Sequence, residues 1–531
     1  MADGHEASRG RQGYRLPFFP FWLLAGISVL FVLPSFRLWF QCPLSLTAFE
    51  FDYFLGFFMP ADLDLRLAII QFGRLIHCFG FLMIGWLFVL CVERVRKDPD
   101  QFSWRSLILF AVILCITFTL GMPWVSPDIF FYIGTGWLDG HYGLSPYLHT
   151  MTEVPQFGKE EMFRNVHPPF LGGHTAYGPF FQLLDKGLSL ASGGRELLAL
   201  GLHKILYFFM HAASCFVLLR LVPVSESKWS FLFFACNPLI LFSILTCAHN
   251  DHLMTFFLLT AFWCLAAGRP FLSGLALGTA FSVKYVPLLL LPLFFLDLAL
   301  DRGRKHSFQR RLGLALGMTA GFLCTVVAFH CFYPEAARQF LGIIGFDPWQ
   351  RASGSITSDG GGGIGVYRNS IYHLVPFLYS IFPGFWPVGY DQMKIVLVAI
   401  VSLTLAWLVV QSWSRGKFPL REASLSFFLF YFLVLNQTNQ EWYLTWILAF
   451  IPMIGTEPVL RFGYRLSVLF LPLVIFTVKN TALVESLTNA VVYVLVLSFS
   501  VPVLVQFYRS IRSGSELLQF RGHQGAKMKT S

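Results

Sequence analysis

From Leu107 to Tyr132 the chain reads LILFAVILCITFTLGMPWVSPDIFFY. Extended back to Trp104, the apolar part ends near Trp124 and carries one charge, Arg105, at its start. A helix needs roughly 20 apolar residues to cross the hydrocarbon core of a bilayer, and this run meets that length. It is followed at once by Ser126-Pro127-Asp128, which sets an acid at the membrane boundary. An ionised carboxylate there is costly unless it is hydrated, paired or used. The competing reading is a helix N-cap, a position that favours Asp.

The pattern repeats along the chain. The 531 residues are 56% hydrophobic and 13% charged, against about 25% charged in soluble domains. Spans are expected near 17–36, 67–91, 104–124, 197–222, 229–247, 252–268, 312–333, 391–412, 422–440, 442–456, 461–478 and 488–508. Segment 271–299, interrupted by Pro287 and Pro292, reads either as one kinked span or as two short helices meeting near Lys284. Segment 371–389, with Pro376, Pro383 and Pro387, reads as spanning, re-entrant or interfacial. The expected fold is an all-α polytopic membrane bundle of about 11–14 spans with long external loops. It forms a single membrane domain over 17–508, between tails at 1–16 and 509–531.

The net charge of +10 is scattered over short segments between spans, so it reads as topology and excludes a nucleic-acid face. Basic residues gather at Arg94, Arg96, Lys97 and Arg105, at Arg302, Arg304, Lys305, Arg310 and Arg311, near Arg415 to Arg421, and after Arg509. With those segments cytoplasmic, both termini lie inside a plasma (inner) membrane. Loops 125–195 and 334–390 and the turn at 248–251 then lie outside. Nine of ten cysteines fall inside apolar runs, Cys42 being the exception, and there is no CxxC pair. Neither a disulfide framework nor a zinc site is expected.

Polar residues capable of chemistry concentrate on that outer side. Asp128 leads into Tyr132 and a glycine- and proline-punctuated stretch through Gly143-Leu144-Ser145-Pro146-Tyr147. His167-Pro168-Pro169 and His174-Thr175-Ala176-Tyr177-Gly178-Pro179 set donors on a stiff backbone; the bland alternative is a proline-rich loop. Ala248-His249-Asn250-Asp251-His252 crowds polar groups into one turn between apolar runs, more than a turn requires. Ser282-Val283-Lys284-Tyr285 sets a lysine in an apolar segment, suited to a phosphate or to snorkelling. Asn436 to Tyr443, ending Glu441-Trp442-Tyr443, is an outer turn with aromatic anchors. The glycine run Gly360–Gly363 lacks the strand and helix context of a phosphate loop.

These residues resemble a family. Asn237-Pro238-Leu239 followed by Ala248-His249-Asn250-Asp251 is similar to the NPL…AHND stretch of the actinobacterial polyprenyl-phosphate-mannose-dependent α-1,6-mannosyltransferases, multi-pass enzymes of the GT-C type. Asp128–Tyr132 and Gly143–Tyr147 resemble their DVYSY and GLDPY segments, Ala176–Pro179 their PYGP turn, and Val283-Lys284 their VK. Pro127 and Ser145 depart from that pattern. The order holds over residues 104–300.

The resemblance implies a GT-C-like bundle whose external loop carries the catalytic base, Asp128. It implies a hexose donor, mannose, on polyprenyl phosphate, and a glycan or glycolipid acceptor of the cell envelope. Lys284, Tyr285 and His249 are the expected donor and phosphate ligands. Tyr132, His167, His174, Tyr177, Asn250, Asp251, Trp442 and Tyr443 are the expected sugar and acceptor ligands. No cofactor is indicated; a divalent metal is compatible with the acids and histidines, but no ligand spacing calls for one. The alternative from another class is a secondary transporter or lipid-linked-sugar flippase that uses the intramembrane Arg74, His77, Lys204 and Lys284 as a pathway. A lipid-carrier ligase or polymerase shares the same membrane body.

Overall fold

The computed structural model describes residues 18–32, 63–123, 126–155, 157–300, 307–343, 420–432 and 441–477, with isolated positions at 403 and in 498–508. The expectations for 1–17, 33–62, 124–125, 156, 301–306, 344–402, 404–419, 433–440, 478–497 and 509–531 lie outside the described residues. They include Cys42, Arg302, Arg304 and Lys305, the glycine run, most of the second external loop, segment 371–389, nearly all of span 391–412, Arg415, Asn436–Gln440 and much of span 488–508.

The chain is an all-α polytopic membrane protein; the described residues contain no strand. Four helices among them are long and apolar enough to cross a membrane: Leu75–Lys97, Glu196–Leu221, Val224–Thr246 and Phe308–His330. The labelled helices are α1 (Phe19–Val32), α2 (Leu63–Lys97), α3 (Trp104–Leu120), α4 (Asp128–Tyr142), α5 (Pro179–Ala191), α6 (Glu196–Leu221), α7 (Ser227–Ala235), α8 (Asp251–Ala266) and α9 (Pro270–Val283). They continue as α10 (Leu291–Leu300), α11 (Phe308–His330), α12 (Pro334–Ile343), α13 (Leu420–Phe430), α14 (Leu444–Ile454) and α15 (Glu457–Thr477).

The distribution of polarity is that of a protein dissolved in lipid. On α6 the outward side presents Ile205, Phe209 and Phe216, each more than half exposed, while His203, Lys204, Tyr207, His211 and Ser214 are buried. Water would reverse that arrangement; lipid enforces it, because polar groups must find partners inside the bundle.

Helix pairing follows side-chain size. Gly274 and Gly278 of α9 face α11, where a Cβ on Gly274 would come within 1.9 Å of the Met318 carbonyl oxygen. A Cβ on Gly321 of α11 would lie 2.2 Å from the Phe271 carbonyl oxygen. The two backbones touch because neither carries a side chain at the crossing, the small-residue device of membrane helices. That seam fixes α9, and with it the position of Lys284 at its end.

Segment 271–299 resolves into two short helices, α9 and α10, joined by a 3₁₀ turn over Val286–Leu290. The break falls at Lys284, whose backbone is extended at φ −150°, ψ 137°. Pro287 in the first turn after the break supplies no amide donor to continue the α-helix. Segment 229–247 is likewise broken. α7 ends at Ala235, and the Asn237 side chain accepts from the Leu239 and Ile240 amides to start the next turn. The Asn237 amide donates to Ser467 Oγ at 2.7 Å, which ties the break to α15. A π-helical stretch, Leu241–Thr246, follows, and Ala248 is forced to φ 56°. Ala248 is the only described non-glycine residue with positive φ, a strained conformation of the kind that clusters at functional sites.

Candidate active site

Three backbone discontinuities meet: the start of α4, the strained turn between the π-helical stretch and α8, and the break after α9. Asp128 is the first residue of α4, following Pro127, so it lies in the first turn and is not its cap. Its Oδ2 is 3.7 Å from His249 Nδ1. The amides at a helix N-terminus favour a negative charge there. Burial nonetheless dominates and pushes the carboxyl up to about 6, with neighbouring Asp251 adding and Ser126 and Lys284 opposing.

His249 is fully buried and lies flat on the Trp442 indole, with ring centroids 3.7 Å apart and planes 20° apart. Burial, reinforced by the Lys284 charge, holds its imidazole well below the usual histidine range, so the ring is neutral. Neither ring nitrogen has a hydrogen-bond partner among the described residues. The same is true of both amide atoms of Asn250, also fully buried. Buried polar atoms are ordinarily paired, so the Asp128–His249–Asn250 corner offers unused donors and acceptors to a polar ligand.

Asp251 and Lys284 form the electrostatic centre. Lys284 Nζ reaches both Asp251 carboxylate oxygens, at 2.8 and 2.9 Å, and Trp446 Nε1 donates to the same carboxylate at 2.6 Å. The ammonium lies 4.5 Å from the Tyr443 ring centroid, 5.5 Å from Trp446 and 5.8 Å from Tyr177. Aromatic faces around an ammonium attract it through their ring quadrupoles. Asp251 is fully buried, whereas the Lys284 side chain retains 13% exposure, so the cation is the accessible member of the pair.

The aromatic loop comes to this centre through one close approach. The Gly178 amide donates to the Val283 carbonyl at 2.9 Å, and a Cβ on Gly178 would lie 2.3 Å from the Ser282 carbonyl oxygen. Only glycine lets the 177–178 turn lie against the end of α9. Tyr177 thereby stands over Lys284, and its hydroxyl donates to Tyr132 Oη at 3.3 Å. The rings of Tyr132 and Tyr177 meet edge to face at 5.0 Å.

Residues 64–299 match the family model described as alpha-(1->6)-mannopyranosyltransferase, N-terminal domain. Over this segment the chain is similar to that family. The matched segment contains Asp128, Tyr132, Tyr177, the His249–Asp251 turn and Lys284. No curated protein and no solved structure matches the chain.

The expected site residues divide into two groups. Asp128, Tyr132, Tyr177, His249, Asn250, Asp251, Lys284, Trp442 and Tyr443 come together around the three discontinuities. His167 and His174 are exposed and are not brought to the carboxylate: His174 Nε2 faces the Leu148 carbonyl at 3.3 Å, and the His167 ring packs near Phe170. Tyr285 is turned toward α12 and donates to the Ala336 carbonyl at 3.4 Å. Among the described residues no group of three or more His, Cys, Asp or Glu side chains is arranged to hold a metal ion.

Trp446 was not among the residues expected at the site. Its signal in the sequence is spacing: it lies one helical turn after Tyr443, so the two aromatics share a face.

Proposed function

We propose that this protein is a mannosyltransferase that moves mannose from a polyprenyl-phosphate carrier to a hydroxyl of a glycan or glycolipid acceptor at the external face of the membrane. Asp128 is the general base. It takes the proton from the acceptor hydroxyl as that oxygen attacks the anomeric carbon. The carbon–oxygen bond to the carrier phosphate breaks on the opposite side, so the configuration inverts. A carboxylate with its pKa near 6 is mostly ionised at neutral pH yet basic enough to help, the compromise a general base requires.

The leaving group is a lipid phosphate, which gains negative charge as the bond breaks. The accessible ammonium of Lys284, aimed by Asp251 and ringed by Tyr177, Tyr443 and Trp446, is suited to meet that charge. His249 and Asn250 supply the unused hydrogen-bonding atoms for sugar hydroxyls. Trp442 gives the neutral His249 ring a fixed plane. His167, His174 and Tyr285 are left to acceptor binding around the rim.

The observation that carries the reading is the convergence of Asp128, His249 and the Lys284–Asp251 pair from three separate chain breaks inside the mannosyltransferase-matched segment. The transporter alternative drew on intramembrane cations as a pathway. Lys284 is engaged by Asp251 and Lys204 by backbone carbonyls, which supports a fixed site instead. The test is a donor choice: purified protein in lipid is offered radiolabelled mannosyl phosphoryl polyprenol or a nucleotide-linked mannose, with a mannoside acceptor. Label should move from the lipid donor alone; transfer from the nucleotide sugar alone contradicts the proposal.

A further inference from the structure

Lys204 sits in the third turn of α6 with its side chain buried. Its Nζ lies 3.0 Å from the Thr119 carbonyl, 2.7 Å from Gly121, 2.6 Å from Leu245 and 2.9 Å from Thr246. An ammonium has three protons, so these four carbonyls share them. The carbonyls belong to two chain ends. Thr119 and Gly121 close α3, and Leu245 and Thr246 close the π-helical stretch. Both ends present unpaired carbonyls and the negative pole of a helix, where a cation is favoured. Thr246 Oγ1 adds a direct link to the Phe118 carbonyl at 2.9 Å.

What leaves those two ends matters. The chain after Gly121 arrives at Asp128, and the chain after Thr246 passes the strained Ala248 to His249. The same turn of α6 also secures the far side of Asp128. His203 Nε2 is 3.1 Å from Asp185 Oδ1 on α5, and α5 is bonded to the backbone of α4 through Gln182 to Thr135 at 3.2 Å and Ser189 to Ile133 at 3.0 Å.

We infer that Lys204 is a positioning residue of the transferase, which sets the Asp128–His249 distance by clamping the two chain ends from which those residues issue. This inference rests on the proposed roles of Asp128 and His249. Lys204 touches neither substrate nor reacting atoms. It acts on where the base stands, so its loss falls on turnover while the lipid-phosphate contact at Lys284 stays in place. A displacement on the order of 1 Å at a reacting group costs about 100-fold in rate.

The experiment compares wild type, Asp128→Asn and Lys204→Met as full-length proteins in lipid nanodiscs, with mannosyl phosphoryl polyprenol as donor. Thermal unfolding is measured alongside kcat and donor KM. Active wild type with inactive Asp128→Asn establishes the underlying reading independently. Folded Lys204→Met should then lose about 10- to 100-fold in kcat with donor KM within about threefold of wild type. A folded Lys204→Met with wild-type kcat, or one whose loss lies in KM, overturns the inference. Should Lys204→Met fail to fold, Thr246→Val removes one tie of the same clamp; it should lower kcat several-fold at constant KM, and wild-type kcat there overturns the inference as well. A wild type inactive with every lipid-linked mannose overturns both the reading and this inference.

Discussion

His249 stands 3.7 Å from Asp128 with its ring laid flat on Trp442. A neutral imidazole beside a carboxylate of raised pKa differs from a structural ion pair, in which the two partners would charge each other. In the proposed mechanism the histidine hydrogen-bonds to the sugar and the carboxylate takes the proton. His249→Phe keeps a ring on the Trp442 face but removes both nitrogens. It should leave the protein folded and lower kcat/KM by about 10- to 100-fold, the scale of losing one or two hydrogen bonds that strengthen in the transition state. Steady-state kinetics beside a thermal melt checks this.

The rate should follow the ionisation of Asp128. Since the base must be deprotonated and its carboxyl is pushed up to about 6, kcat/KM should be flat at neutral pH and fall tenfold per unit below about pH 6. An acid limb near pH 4, the range of an ordinary exposed carboxylate, would count against Asp128 as the base.

Stability runs in the opposite direction. A carboxyl whose folded pKa is raised favours the folded state fully only below its unfolded value of 3.8, and that support is lost as pH rises through about 6. At neutral pH the buried charge therefore destabilises the protein, by an upper limit of about 3 kcal/mol for roughly two pKa units. Asp128→Asn should slow turnover by about 10²–10⁴-fold while raising Tm at pH 7.5, with the gain shrinking toward pH 4. Melting curves at several pH values read this directly.

Lys284 and Asp251 should behave unequally. Lys284→Met removes the accessible cation and leaves a buried carboxylate with only Trp446 as its described side-chain donor. Breaking a buried pair from one side costs about 3–5 kcal/mol, so Tm should drop and donor KM should rise. The double variant Lys284→Met/Asp251→Leu should regain much of the stability and none of the activity, which thermal melts and transfer assays together would separate.

Gly178→Ala places a methyl group against the Ser282 carbonyl at 2.3 Å. The 177–178 turn must then lift from the end of α9, carrying Tyr177 away from Lys284. The expected result is a higher donor KM in a protein that still folds, measured by donor titration.

Much of this arrangement is legible in the sequence where the signal is local. The break at Lys284 is one of the two readings left open by Pro287 and Pro292 inside an apolar run too long for one straight helix. The Ala248–His252 turn stands out because polar residues crowd between two spans. Asp128 is marked by its place directly after a span. What the sequence withholds is distance. Trp446 reaches Asp251 across 195 positions, and Lys204 reaches four carbonyls between 41 and 85 positions away. An intramembrane lysine looks alike in sequence whether it lines a pathway or clamps two helix ends. The place of His167 and His174 at the rim is hidden for a related reason: their residue types suit a sugar site, but exposure is decided by how the loop folds back, which composition does not encode. The glycines at 274, 278 and 321 mark a helix crossing only once their partner helix is known.

The account rests most heavily on one rate. With purified protein in lipid, saturating mannosyl phosphoryl polyprenol and a mannoside acceptor, wild type should transfer mannose with inverted configuration, and Asp128→Asn should be slower by about 10²–10⁴-fold at unchanged donor affinity. Transfer by Asp128→Asn at a rate near wild type would contradict it.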